Sequence, residues 1–397
     1  MRQLTDRRIA IGCGVVTALL YMVAAFGKLT AYDYHGRLAQ AFLSGHWWLD
    51  EAPPWLNELL PCGPSRWCVA YPPLPAVLAM PLAAFLPAGP AQGLTAQLAG
   101  GASAGVLYAG LRAYGAPRWV ALAGTVVSAF GTTLLFSSAD GRAWFAAHSV
   151  AMLFLSGAFL VAARGGSPIL LGALIGLAAL ARLPVAAAAP GLALLLTARG
   201  GIAFRPALIR VVAGGTPFAL LYIAYNVLRW GSVLDLGYTR LAVGDVFFDH
   251  GVFSPLYIPR HLVAIFLEPP DIVSGSSLAI RPRFIGMSLF LTTIAFVWIF
   301  AGLRHVRASR AIAGTALAAG LALVPAILHA TVGFQQFGYR FSLDAQPMLV
   351  GLAVAGDALR RGVWRSRPSW LFAAAAVISV VVNVYAGVVI LHLGYWQ

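Results

Sequence analysis

Charge is scarce in this 397-residue chain: 10% of the residues are charged, and Lys28 is the lone lysine. An average soluble domain carries about 25%, so a soluble globular protein is excluded. The chain also lacks a Walker loop, a dinucleotide fingerprint, a His-Glu-x-x-His pair and a Gly-x-Ser-x-Gly elbow, which removes the familiar soluble-nucleotide, zinc-protease and serine-hydrolase classes. No internal repeat is visible, which counts against a transporter built from duplicated halves. Acidic residues number only 13 and leave a net charge of +14. Yet the arginines are dispersed between apolar segments and form no nucleic-acid motif, so no nucleic-acid partner is expected. Cysteines number three. Cys13 lies inside an apolar run. Cys62 and Cys68 lie six positions apart in one polar segment, where an oxidising compartment favours a disulfide over two free thiols. Two cysteines without nearby histidines make a poor zinc site.

What the chain has instead is hydrophobicity, 60% of its residues. Its apolar runs are continuous rather than alternating, which predicts helices and not a barrel. The expected fold is an all-α polytopic membrane protein, a single transmembrane domain over 1–397. Eleven spans are expected, at 9–29, 91–112, 119–138, 143–163, 167–181, 183–198, 208–229, 284–303, 311–330, 343–358 and 369–392. The first has Arg7 and Arg8 before it and no small-residue cleavage site after it, so it reads as a span and not a signal peptide. With the N-terminus in the cytoplasm, the short loops holding Arg199–Arg210, Arg304–Arg310 and Arg360–Arg367 fall inside, as the positive-inside rule requires. That orientation depends on splitting 168–198 at Arg182-Leu183-Pro184. Of the acidic residues only Asp6 and Asp357 then lie inside. Two outer segments are long. Residues 30–90 carry an amphipathic piece, Gly36–Trp48, and a short apolar helix, Pro75–Leu86, lying on or dipping into the outer leaflet. Residues 230–283 carry a second interfacial piece, Pro259–Leu267. Trp47, Trp48, Trp55 and Trp67 fit an aromatic interfacial belt.

The polar residues at the membrane edge are the candidates for chemistry, because an ionisable group there is costly unless it faces water, a partner or a substrate. The run Tyr32-Asp33-Tyr34-His35-Gly36-Arg37 ends the first span. Asp33 is a candidate general base, and its alternative is a helix-end pair with Arg37. Asp140-Gly141-Arg142 and His148 stand where the third span hands over to the fourth. Arg142 is suited to a bidentate contact with an anionic headgroup, or to a pair with Asp140. Arg182 is either a phosphate ligand or a snorkelling side chain. Asn226 and Arg229 read as helix-end anchors. Arg340 and Asp344 are spaced for an i, i+4 salt bridge.

These segments resemble the GT-C superfamily of integral-membrane glycosyltransferases, in particular bacterial relatives of protein O-mannosyltransferases and of lipid A aminoarabinose transferase. The likeness is sharpest at Asp33 with Gly36–Trp48, at Tyr71-Pro72-Pro73-Leu74-Pro75, at Trp144-Phe145-Ala146-Ala147-His148, and at Tyr225–Gly231 and Phe337–Asp344. It implies a GT-C-like fold and an inverting transfer of a sugar from a polyprenyl-phosphate donor to a hydroxyl at the outer face of a bacterial inner membrane. It implies Asp33 as the base, although Tyr34 stands where the family has a second acidic residue. Arg142, Arg182 and Arg340 would hold the donor phosphate. His35, Arg37, Tyr71, Asp140 and His148 would contact sugar or acceptor. No cofactor is implied beyond the lipid-linked donor, and a divalent metal is left open. The acceptor is a glycan, a lipid or a protein. The rival reading is a transporter or flippase for a lipid-linked anion, which needs polar groups at midplane depth.

Overall fold

The computed structural model describes residues 2–28, 30–272 and 280–393. Leu29, which closes the first expected span, and residues 273–279 of the segment 230–283, expected on the outer side, lie outside these described residues. The chain is mostly helical. In order come α1 (Arg2–Ala24), α2 (Tyr34–Leu43), a ribbon of β1 (Leu59–Gly63) and β2 (Arg66–Val69), α3 (Leu74–Ala83), α4 (Ala88–Tyr114), α5 (Arg118–Phe130), α6 (Leu134–Asp140), α7 (Ala143–Arg164), α8 (Pro168–Ala179), α9 (Ala189–Gly200) and α10 (Phe204–Trp230). Then follow α11 (Gly237–Leu241), α12 (Ile258–Phe266), α13 (Leu289–Thr292), α14 (Trp298–Leu303), α15 (Arg310–Leu328), α16 (Gln346–Ala358), α17 (Trp370–Tyr385) and α18 (Leu391–Leu393).

Among the described residues, six helices are long and apolar enough to cross a membrane, and eight segments are if two bent pairs each count as one span. The bent pairs are α3 with α4, at 115°, and α5 with α6, at 46°. The expected count of eleven is therefore finer than these helices carry. The shortfall lies at 167–181, 284–303 and 343–358. There α8 has 12 residues and α16 has 13, against the roughly 20 that a bilayer crossing takes. The 284–303 segment breaks at Thr293 (φ −135°, ψ 75°). Its freed backbone is taken up by α17: Asn383 Nδ2 donates to the Thr292 carbonyl at 2.7 Å, and the Ala295 N–H donates to Ser379 Oγ at 3.1 Å. Irregular backbone is tolerated in an apolar setting where protein groups satisfy it in this way.

The core forms around α4, which packs against both α1 and α7. Small residues allow the helices to approach closely. At Gly191, where α9 meets α15, a Cβ would strike the Ala318 backbone. The expected break at Arg182-Leu183-Pro184 is present: α8 stops before it, and a 3-10 turn, Leu183–Ala188, leads into α9. Pro184 lacks the N–H that a continuing helix needs. Cys62 and Cys68 are disulfide-bonded within the β1–β2 ribbon, and Cys13 is free.

Candidate functional site

The site is assembled from three helix ends. Gly141 follows α6 with φ +67°, a backbone conformation that suits glycine. The tight turn folds Arg142 back onto Asp140: Nε donates to Oδ1 at 2.6 Å and Nη2 to Oδ2 at 2.9 Å. Arg142 also donates through Nη1 to the Gln335 side chain, and through Nη2 to the Gln335 carbonyl at 3.2 Å. At the α8–α9 break, Arg182 donates to both oxygens of Asp344, at 2.7 and 2.8 Å. His148 Nδ1 lies 3.1 Å from the same carboxylate. Asp344 and Arg340 stand on a 3-10 turn, Arg340–Ala345, that leads into α16.

Arg340 differs from its two neighbours. It is 6% exposed, and among the described residues it makes no ion pair. Nη1 donates to the Phe334 carbonyl at 2.9 Å, while Nε is buried without a hydrogen-bond partner. Its guanidinium lies 5.0 Å from the centre of the Phe145 ring and 5.4 Å from that of Phe341. Arg142 lies against the same Phe145 ring at 5.0 Å, and Arg182 against the same Phe341 ring at 5.5 Å. The three arginines are thus gathered around two rings, with Arg340 between the others. Burial, reinforced by the Arg182 and Arg142 charges, pushes Arg340 down to about 9. A guanidinium keeps its proton at neutral pH, so Arg340 is a buried positive charge beside two others.

Glu58 is the residue that sequence reasoning missed. It stands half-buried just before β1. Trp144 Nε1 is shared between Glu58 Oε2, at 2.9 Å, and Tyr71 Oη, at 2.7 Å. The Trp144 ring packs on Phe334 at 5.6 Å, whose carbonyl binds Arg340. Burial raises Glu58 to about 7, against the pull of the Trp144 N–H and the Arg340 charge. Its only sequence signal was a carboxylate in a proline-rich outer loop.

Of the expected site residues, Arg142, Arg182, Arg340, Asp140 and His148 are therefore brought together, and Tyr71 joins them through Trp144. Asp33 and Arg37 are not in this cluster. They pair with each other at 2.8 Å and line a cleft of about 540 Å³ with Gln40 and Trp55. Backbone contacts tie the two regions. The Ala143 N–H donates to the Tyr32 carbonyl at 3.0 Å, and the Tyr32 ring lies on Trp144 at 4.8 Å. His35 is fully buried, its N–H donating to Gln92 Oε1 at 2.8 Å. Burial pushes its imidazole down to about 4, which leaves it neutral and placed for packing rather than for substrate. The i, i+4 bridge expected between Arg340 and Asp344 is absent, because Arg182 holds Asp344. Arg229 is an anchor as expected, donating to Asn226 Oδ1 and to the Val69 carbonyl, both at 2.6 Å. Among the described residues, no group of three or more His, Cys, Asp or Glu side chains is placed to hold a metal ion. Comparison with family models, with curated proteins and with solved structures found no match.

Proposed function

We propose that this chain is an inverting glycosyltransferase of the GT-C kind, moving a sugar from a polyprenyl-phosphate donor to a hydroxyl acceptor at the outer face of a bacterial plasma membrane. The eleven-span arrangement with a cytoplasmic N-terminus belongs to the same proposal. The observation that carries it is Arg340, a buried guanidinium with a free Nε and, among the described residues, no ion pair, flanked by two arginines that have one each. Burying an unpaired charge is strongly unfavourable, and an anionic ligand relieves the cost. The donor phosphate supplies that anion. As the anomeric C–O bond breaks, the electron pair passes to the phosphate oxygen, and a preorganised guanidinium stabilises the growing charge. Asp33 takes the proton of the attacking hydroxyl. A single displacement inverts the anomeric carbon. A departing phosphate needs no second carboxylate of the glycosidase kind.

The flippase reading asks for polar groups deep in the bilayer. Arg142 caps the start of α7, Arg182 occupies a helix break and Arg340 precedes α16. All three stand at helix ends, which favours a site at one face. The test is to incubate the purified protein with a panel of polyprenyl-phosphate sugars and follow the released lipid phosphate by mass spectrometry. Release that depends on an added hydroxyl acceptor, with an inverted product, supports the proposal. Movement of intact lipid-linked sugar across vesicles without release overturns it.

A further inference from the structure

The cleft at Asp33 does not end at its polar wall. A second cavity of about 210 Å³ adjoins it, with Thr30 and Pro90 in both walls. Pro90, Gly93, Leu94 and Gln97 of α4 line this second cavity, together with Leu86, Lys28 and Ala139. The four α4 residues follow the i, i+3, i+4, i+7 spacing of one helix face. The crevice is therefore two-sided in character. One end holds a carboxylate, a guanidinium, the Gln40 amide and the Trp55 ring, which is 53% exposed. The other follows the first turns of α4 and is mostly aliphatic, with Lys28, Thr30 and Gln97 as its polar members. Phe26 and Phe85, 85% and 88% exposed, flank Lys28 and Leu86 in sequence. Two such rings are exposed at little cost only where lipid replaces water.

We infer that this crevice binds the acceptor, and that the acceptor is a carbohydrate-headed lipid, its sugar among Asp33, Arg37, Gln40 and Trp55 and its chain along the Pro90–Gln97 face of α4. The word acceptor rests on the transfer reading; the binding does not. An aromatic ring beside amide, carboxylate and guanidinium groups suits a polyhydroxylated ring, whose C–H face packs on the indole while its hydroxyls take the polar groups. A phosphate suits it less. Asp33 already occupies Arg37, and its carboxylate repels an anion. The unpaired guanidinium lies in the other region, at Arg340. Tyr32 and Ala143–Trp144 join the two regions by a backbone hydrogen bond and a ring contact.

The test is photolabelling of the full chain in lipid nanodiscs with a dodecyl glucoside carrying a diazirine in its alkyl chain. The expected adducts map to residues 86–97 and are suppressed by unlabelled dodecyl glucoside, but not by glucose and only weakly by dodecyl phosphate. Leu94→Trp, which fills the aliphatic end, and Trp55→Ala, which removes an exposed ring, should each lower labelling roughly three- to tenfold. Adducts elsewhere, dodecyl phosphate competing as well as the glucoside, or parental labelling in both folded variants would overturn the inference. Labelling needs no turnover. A protein that labels here but moves no sugar keeps the crevice and loses the transfer; one that transfers sugar without labelling here keeps the transfer and loses the crevice.

Discussion

Asp33 and Arg37 stand four residues apart, and so do Arg340 and Asp344. The first two pair at 2.8 Å, while the second two are bound to other partners. Helix type accounts for the difference. Arg37 lies on an α-helix that Asp33 begins, and there i and i+4 are about 40° apart around the axis. Arg340–Ala345 is a 3-10 turn, in which i and i+4 are about 120° apart. The geometry releases Asp344 to Arg182 and leaves Arg340 unpaired. One region is thus an electrically closed pair beside an open cleft. The other is a closed pair beside an open charge. The proposed sugar transfer asks for both, an acceptor hydroxyl at the first and a donor phosphate at the second.

Substitutions separate the two regions, and the largest effect is expected at Asp33. Asp33→Asn keeps the shape and removes the base, which costs about 10²–10⁴ in transfer rate, while donor affinity stays at the parental value. Unchanged turnover would make Asp33 structural. Arg182→Met comes next, with its effect on folding. It strands the Asp344 carboxylate, and breaking a buried pair costs about 3–5 kcal/mol, read as a lower midpoint in chemical unfolding. Below pH 7, where Glu58 keeps its proton, Arg340→Met should leave unliganded stability unchanged or raised, because no ion-paired carboxylate is stranded. Its loss appears in donor affinity, by the roughly 1.5–3 kcal/mol of a hydrogen bond to a charged group, one to two orders of magnitude in Kd. Equal destabilisation by the two Met variants would erase the distinction between a paired and an unpaired arginine.

The smallest effect concerns pH. Glu58 titrates near 7 in the folded protein, above its ordinary 4.5. Below that value it is protonated and Arg340 is left for the donor. As pH rises through 7 the carboxylate forms and competes. Affinity for a phosphodiester donor, whose own charge is constant, should therefore fall between pH 6 and pH 8, and Glu58→Gln should flatten the profile. The sign for stability follows from the same shift. Between about 4.5 and 7 the folded state holds the Glu58 proton more tightly than the unfolded state, so this group's contribution to stability declines as pH rises. A Glu58→Gln variant with the parental binding profile would remove Glu58 from the site.

Much of this was legible from residue type and spacing, and the misses share a cause. The break at Arg182 followed from Pro184, and the Cys62–Cys68 bond from their place in one polar loop expected on the outer side. The break at Thr293 inside the expected span 284–303 was not legible, because hydropathy does not register it and Asn383 supports it from some ninety residues away. The amphipathic piece expected at Gly36–Trp48 is helical only over Tyr34–Leu43, since the chain turns at Ser44–Gly45. The three arginines were visible as candidates, but which of them lacks a counter-ion depended on helix type. Glu58 gave no periodic signal and gains meaning only through Trp144, 86 residues further on.

The central claim is that Arg340 awaits an anion. The direct measurement is the thermal unfolding midpoint of the parent and of Arg340→Met, each with a polyprenyl-phosphate sugar and with the unphosphorylated polyprenol of the same length. At a ligand concentration a hundredfold above Kd, binding stabilises by about 2.7 kcal/mol. At that same ligand concentration the account predicts a raised midpoint in the parent with the phosphorylated lipid alone, and in the variant a rise cut to about half or less, roughly 0.4–1.4 kcal/mol. A parent that responds equally to both lipids, or a variant that responds as the parent does, would contradict it.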